Sequence, residues 1–269
     1  ELYPGRKSAA VCFGAPFLHA TVDQVAANNA YIAKDCDSER FYPYYLLHPE
    51  IAPEALDRDL SAHPYLGIKP YLYFVRKPSD KIEIADMLPA PLMEVIAAHR
   101  LPIMLHIPRP GRFADPLNQR QMDEYARRWP QVIFIIAHFG RAYYLSNVVG
   151  QLEVLRTLPN VYFDTTMVCN WEVIEYFFTR IQPHKFVYGT DIPLALAGGI
   201  SVEINHQYTY ITKNPSALSI GDTGGKLVFT SFVYEQLRAL RKAIERRNLP
   251  RGFVEDLFWN NGMALLKGR

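Results

Sequence analysis

Three side chains stand out for chemistry: His106, His138 and Asp191. Each closes a short apolar run. Pro102-Ile103-Met104-Leu105 leads to His106. Val132-Ile133-Phe134-Ile135-Ile136-Ala137 leads to His138. Lys185-Phe186-Val187-Tyr188-Gly189-Thr190 leads to Asp191. A β-rich apolar run of about four to six residues, bounded by Pro, Gly or polar clusters, predicts a buried strand. A polar group at the carboxyl end of such a strand is costly unless it has a partner or a task. Imidazole and carboxylate can bind a metal or move a proton. Three such ends, separated by helical segments, form the pattern of a barrel active site.

The elements that must position them follow a regular alternation. Strands are predicted at 8–17, 41–47, 66–74 and 161–166, besides the three that close at His106, His138 and Asp191. Helices are predicted at 20–39, 53–60, 85–100, 116–129, 145–158 and 171–181. The strand-to-strand interval is roughly 25 to 35 residues, the size of a βαβ unit. This predicts an α/β fold, a parallel sheet with helices outside, closing as a (β/α)8 TIM barrel over residues 1–269 as one domain. Seven units are counted where a barrel needs eight. The first is expected upstream, because Glu1 to Gly5 reads as the tail of a helix. The chain is thus expected to lack its first strand or to be truncated before it, and an open seven-stranded sheet is the competing architecture.

After Asp191 the rhythm breaks. Residues 194–230 hold Gly198-Gly199, Asn214-Pro215 and Gly221-Asp222-Thr223-Gly224-Gly225. Long irregular segments of this kind are usually functional or disordered. A lid is expected, with a hairpin at its end. Helices follow at 231–248, with Ser231 as N-cap, and at 253–267.

Composition bounds the function. Of 269 residues, 49% are hydrophobic, and the net charge is +2. That balance argues against nucleic acid and against an acidic membrane surface as partners. A small-molecule substrate is expected, and homo-oligomerisation is left open. No apolar run approaches the roughly 20 residues of a membrane span. The three cysteines, Cys12, Cys36 and Cys169, are widely spaced and form no CxxC, which suggests neither a zinc cluster nor a disulfide framework. A reducing, cytoplasmic setting is the plain reading.

Several pieces together resemble the amidohydrolase superfamily. They are Gly67-Ile68-Lys69, Leu105-His106, Ile136-Ala137-His138-Phe139-Gly140, Tyr162-Phe163-Asp164, Tyr188-Gly189-Thr190-Asp191-Ile192-Pro193 and Phe258-Trp259-Asn260-Asn261-Gly262. The chain most resembles the amidohydrolase-related branch that holds aminocarboxymuconate-semialdehyde decarboxylase, resorcylate-type decarboxylases and several lactonases. The resemblance implies a divalent metal, zinc or alternatively manganese, at the carboxyl ends of the strands. It implies His106, His138 and Asp191 as metal ligands, with His138 acting on the substrate or bound water and Asp191 accepting a proton. The family's first-strand His-x-His pair is absent from this chain. A catalytic zinc wants about three protein ligands and an open position for water. It would lower the pKa of that water towards about 7.

Other side chains complete the candidate site. Lys69 lies inside a predicted strand, where a charge must be paired. It could bind a substrate carboxylate or close a structural ion pair. Arg109 and Arg141 follow the two histidines closely and could clamp a carboxylate bidentately, or lie on the surface. Tyr73, with Tyr71 and Phe74, could line an aromatic pocket or simply pack. Asp164 reads as a supporting group, and His48 as part of a turn. The function expected is metal-dependent hydrolysis of a small carboxylated or cyclic compound, a lactone or ester. Non-oxidative decarboxylation is the alternative within enzymes. A ligand-binding barrel without turnover is the alternative outside them.

Overall fold

The apolar runs become short strands. These are β1 (Ala10–Cys12), β2 (Phe41–Pro43), β3 (Tyr45–Leu47), β4 (Ile68–Pro70), β5 (Ile103–Leu105), β6 (Phe134–Ile136), β7 (Val161–Asp164) and β8 (Phe186–Val187). The structure, a computed structural model, describes residues 5–36, 39–213, 219–222 and 224–267. The helix tail expected at Glu1 to Gly5 lies, up to Pro4, outside the described residues. Contacts group the chain into two units: residues 1–110 with 124–135, and residues 111–123 with 136–269.

In the first unit β1 pairs in parallel with β2, and β3, β4 and β5 pair in parallel in that order. The run expected as one strand at 41–47 carries two ladders. Tyr44 N–H donates to the Cys12 carbonyl and Tyr45 N–H to the Gly67 carbonyl, each at 2.8 Å. Successive N–H groups leave a strand on opposite sides, so this one run serves two neighbours. Leu46, Leu47, Ile68, Ile103 and Leu105 are fully buried, as a sheet covered on both faces requires. Helix Val22–Asp35 starts at a capping box formed by Thr21 and Gln24. Its buried Asn29 exchanges two hydrogen bonds with the Leu46 backbone, which fixes helix to strand. The helix expected at 85–100 is two, Ile84–Met87 and Ala90–Ala98. Pro89 stands between them, and proline has no N–H to continue a helix.

His48 belongs to this framework. Its Nε2 donates to the Ala20 carbonyl, its Nδ1 accepts from Glu50 N–H, and its ring stacks on Phe74 at 5.3 Å. Burial pushes its pKa below the usual 6.5. As pH falls, the unfolded chain therefore takes this proton before the folded one does. The stability it supports is full above about 6.5 and is lost on acidification towards the depressed folded value. Wild-type protein is expected to lose more stability than His48→Gln between pH 7.5 and 5.5 in urea titrations. Parallel losses in the two proteins would remove His48 as the cause.

In the second unit β7 and β8 pair in parallel, Phe163 against Phe186. Helix Trp171–Phe178 is capped by Asn170, and helix Phe232–Arg246 by Ser231, whose hydroxyl accepts from Tyr234 N–H. The helix expected at 145–158 does not form. Two single turns, Leu145–Asn147 and Leu155–Thr157, replace it. Val148, Leu152, Leu155 and Leu158 are buried at helix-like spacing. Gly150, however, adopts φ 76, a conformation no right-handed helix contains.

The insertion opens with an antiparallel hairpin, β9 (Gly199–Ile204) and β10 (Gln207–Thr212), and β11 (Ser219–Gly221) joins β10 in parallel. The hairpin was expected at the other end, among the glycines. Asn205 and His206 instead supply a two-residue turn with both φ positive, at 51 and 60, which matches the right-handed twist of the strands. The closing helical segment runs Arg251–Glu255, a wider π turn at Asp256–Asn260, and Asn261–Lys267. Asn261 donates to the carbonyls of Pro183 and Phe186, which fastens that segment to β8.

Candidate active site

Two groups of predicted residues take shape, one in each unit. In the first, Lys69 on β4 is 3% exposed. Its ammonium lies 5.4 Å from the Phe13 ring centre and 5.7 Å from that of Tyr71, within range of cation–π attraction. The His106 ring stacks on Tyr71 at 5.5 Å and 29°. Lys69, Tyr71 and His106 thus meet where β4 and β5 end. Tyr73 packs against Tyr71 at 4.9 Å but is 41% exposed. Arg109 is half-buried beyond β5.

The second group surrounds His138, immediately after β6. Four consecutive residues, His138, Phe139, Gly140 and Arg141, have left-handed φ values of 55, 49, 66 and 60. Three are not glycine, and each such residue costs roughly 1–2 kcal/mol. Such strain persists only where the surroundings over-determine it. Asp164, at the end of β7, does part of this. Its buried Oδ1 accepts from His138 N–H at 2.7 Å and from Thr166 N–H at 3.0 Å. Phe139 helps by stacking on Phe177 at 4.0 Å.

The His138 ring is buried, and its Nδ1 lies 3.0 Å from the Thr166 carbonyl. A carbonyl only accepts, so Nδ1 carries the proton and Nε2 is the basic nitrogen. That arrangement suits a proton acceptor or a metal ligand, since the second hydrogen bond sets both tautomer and ring orientation.

Asp191 follows β8 with φ 60 and is half-buried. Its approach explains the glycine two residues earlier. A Cβ on Gly189 would stand 2.3 Å from the Thr166 hydroxyl. Gln236, fully buried on helix Phe232–Arg246, braces the same region. It donates to the Gly189 carbonyl and the Thr165 hydroxyl, and it accepts from Met167 N–H. Among the described residues no hydrogen bond or ion pair joins Asp191 to His138. Arg141 lies near enough to Arg112 for the two charges to repel.

Sequence reasoning missed Thr166, Gln236 and Arg112. Gln236 leaves a trace. Phe232, Val233, Ala239, Leu240 and Ala243 form the buried stripe of its helix, and one glutamine interrupts that stripe.

The donor chemistry of His138 fits a metal ligand, but a full set is not assembled. Among the described residues no group of three or more His, Cys, Asp and Glu side chains is arranged to hold a metal ion. Also among them, no helix is long and apolar enough to cross a membrane.

The family profile of the amidohydrolases (Amidohydro_2) matches residues 15–267. No curated protein matches the sequence. Solved structures do. An amidohydrolase from Burkholderia multivorans with bound zinc aligns with a TM-score of 0.61 at 12% identity, over 96% of this chain and 82% of that one. 5-Carboxyvanillate decarboxylase from Novosphingobium aromaticivorans, complexed with manganese and 4-hydroxy-3-methoxy-5-nitrobenzoic acid, gives 0.57 at 12%, over 97% and 76%. A probable 2-pyrone-4,6-dicarboxylic acid hydrolase from Acinetobacter baumannii with citric acid bound gives 0.56 at 13%, over 96% and 83%. The α/β fold thus matches the TIM-barrel amidohydrolases over nearly the whole chain.

Proposed function

The chain belongs to the amidohydrolase family, and from that premise we propose that it hydrolyses a small carboxylated or cyclic organic compound, a lactone or an ester. His138 and Asp191 are its proton-transferring residues in this reading. The observation that carries it is the fixation of His138. Its backbone N–H is held by Asp164, its Nδ1–H by Thr166, and its Nε2 is thereby set as the base. In hydrolysis Nε2 takes a proton from water as the oxygen adds to the carbonyl carbon. The proton then passes to the departing alkoxide as the carbon–oxygen bond breaks. Asp191 supplies a second carboxylate for proton transfer. Arg141, in the same unit as His138 and Asp191, is the cationic candidate for a substrate carboxylate. Residues 194–230 act as a lid.

The relatives hold zinc or manganese. In the second unit His138 and Asp191 are the candidate donors, and the described residues do not gather three ligands.

Decarboxylation is the second reading, favoured by the aligned decarboxylase. In it His138 protonates the ring carbon as carbon dioxide leaves. Incubation with 2-pyrone-4,6-dicarboxylate and simple lactones, followed by acid release, tests the first reading. Incubation with 5-carboxyvanillate, followed by carbon dioxide release, tests the second. Ring opening without carbon dioxide is expected. Carbon dioxide alone would establish the second reading, and saturable binding without either product would leave a binding barrel.

A further inference from the structure

Arg112 occupies a setting that no step above uses. It lies in the short turn Arg112–Ala114 with a left-handed φ of 56. Its guanidinium carbon is 3.5 Å from the centre of the Tyr208 ring and 5.6 Å from that of Tyr143. Its Nη2 donates to the Tyr208 hydroxyl. Tyr208 and Tyr210 sit two apart on β10 and so share a face. Tyr143 packs against both, at 5.1 and 6.1 Å, and Tyr144 stacks on Tyr208 at 6.2 Å.

Such a cage leaves the cation poorly satisfied. The Nε of Arg112 is buried without an acceptor. Among the described residues no carboxylate pairs with it. The groups acting on its charge are phenols and Arg141, and burial and Arg141 both work against that charge. Beside it, Asn147 donates to the Gly111 carbonyl and the Tyr144 hydroxyl, while its buried Oδ1 has no donor. Arg112 as a whole is half-buried, but a donor as enclosed as its Nε is costly to leave without an acceptor. The edge of a guanidinium, Nε with Nη2, matches the two oxygens of a carboxylate. Here Nε has no acceptor, and Nη2 is taken up by a neutral phenol.

We propose that Arg112 is a carboxylate-binding residue whose seat is held by the Tyr208 hydroxyl until a planar carboxylate displaces it, which makes the β9–β10 hairpin a tyrosine latch. The proposal rests on the reading of the substrate as a carboxylated compound and adds which cation reads the carboxylate. The surrounding rings favour a flat ligand body.

Calorimetric titration of the full chain with benzoate tests it, with neutral benzamide alongside. One benzoate site is expected and no benzamide binding. Arg112→Gln should weaken benzoate by about tenfold or more. Tyr208→Phe keeps the ring and removes the competing hydroxyl, so it should bind benzoate more tightly. Unchanged binding in Arg112→Gln, or weaker binding in Tyr208→Phe, overturns the proposal. If Arg112→Gln does not fold, the wild-type protein decides. Benzoate should shield Arg112 from phenylglyoxal as read by mass spectrometry, and equal labelling with and without benzoate also overturns it. Benzoate has no lactone or ester bond to hydrolyse. Intact benzoate binding without lactone hydrolysis therefore sinks only the hydrolase reading, and hydrolysis with no benzoate effect at Arg112 sinks only this one.

Discussion

In the proposed hydrolysis, replacing His138 with asparagine is expected to lower kcat/KM for ring opening by about 10²- to 10⁴-fold, the range set by losing a general base, and to leave the fold intact. Asparagine is the informative choice because the site is left-handed at φ 55. Asparagine tolerates that region better than alanine, since its short polar side chain can bond locally. The backbone N–H that Asp164 holds is unchanged. What disappears is the imidazole whose Nδ1–H rests on Thr166 and whose Nε2 is the base of the proposed hydrolysis. Steady-state kinetics alongside urea unfolding separate lost chemistry from lost structure. Partial recovery on adding free imidazole to a His138→Gly variant would confirm the role. An asparagine variant with undiminished turnover would place the proton transfer elsewhere.

The second large effect is on stability. Gln236→Leu is expected to cost about 3 kcal/mol, because it keeps the volume but strands three polar groups that are buried or partly buried, where a fully buried one is worth roughly 1–3 kcal/mol. Those groups are the Gly189 carbonyl, the Thr165 hydroxyl and the Met167 N–H. Two of them lie beside the proposed proton-transferring residues. Gly189 precedes Asp191 by two positions, and Thr165 adjoins the residue that orients His138. Turnover should therefore fall together with the urea midpoint. An unfolding free energy within about 1 kcal/mol of wild type would mean the region rearranges to satisfy itself.

The strands were the legible part, because apolar runs bounded by Pro, Gly and polar residues record burial directly. Each of the seven expected strand positions carries a strand, though a shorter one. Helix limits were less readable where one residue overrides a periodic pattern, as Pro89 does inside 85–100 and Gly150 inside 145–158. The histidine and aspartate at the strand ends were visible as polar groups closing apolar runs. The left-handed path through 138–141 was not, since nothing in His-Phe-Gly-Arg but the glycine announces positive φ. Asp164 was read as a support, and it braces His138. The Arg112 cage joins residues far apart in sequence, on a turn and on a hairpin, and no local spacing encodes that meeting.

The hairpin-bearing segment leaves and rejoins its unit at one point. Gly198 bridges to Ser231, Gly199 N–H donates to the Thr230 carbonyl, and Phe232 N–H donates to the Ala197 carbonyl. Between these clasped ends the hairpin is tied to the unit by Glu203, which accepts from Leu145 N–H and Asn170 Nδ2, and by Tyr208 on Tyr143. The segment as a whole remains one loop. Its length can change at a cost that grows only as the logarithm of the number of residues. A cassette exchanged between Ala197 and Phe232 must keep those ties, so a new ligand preference can arise by changing the rest of this one piece.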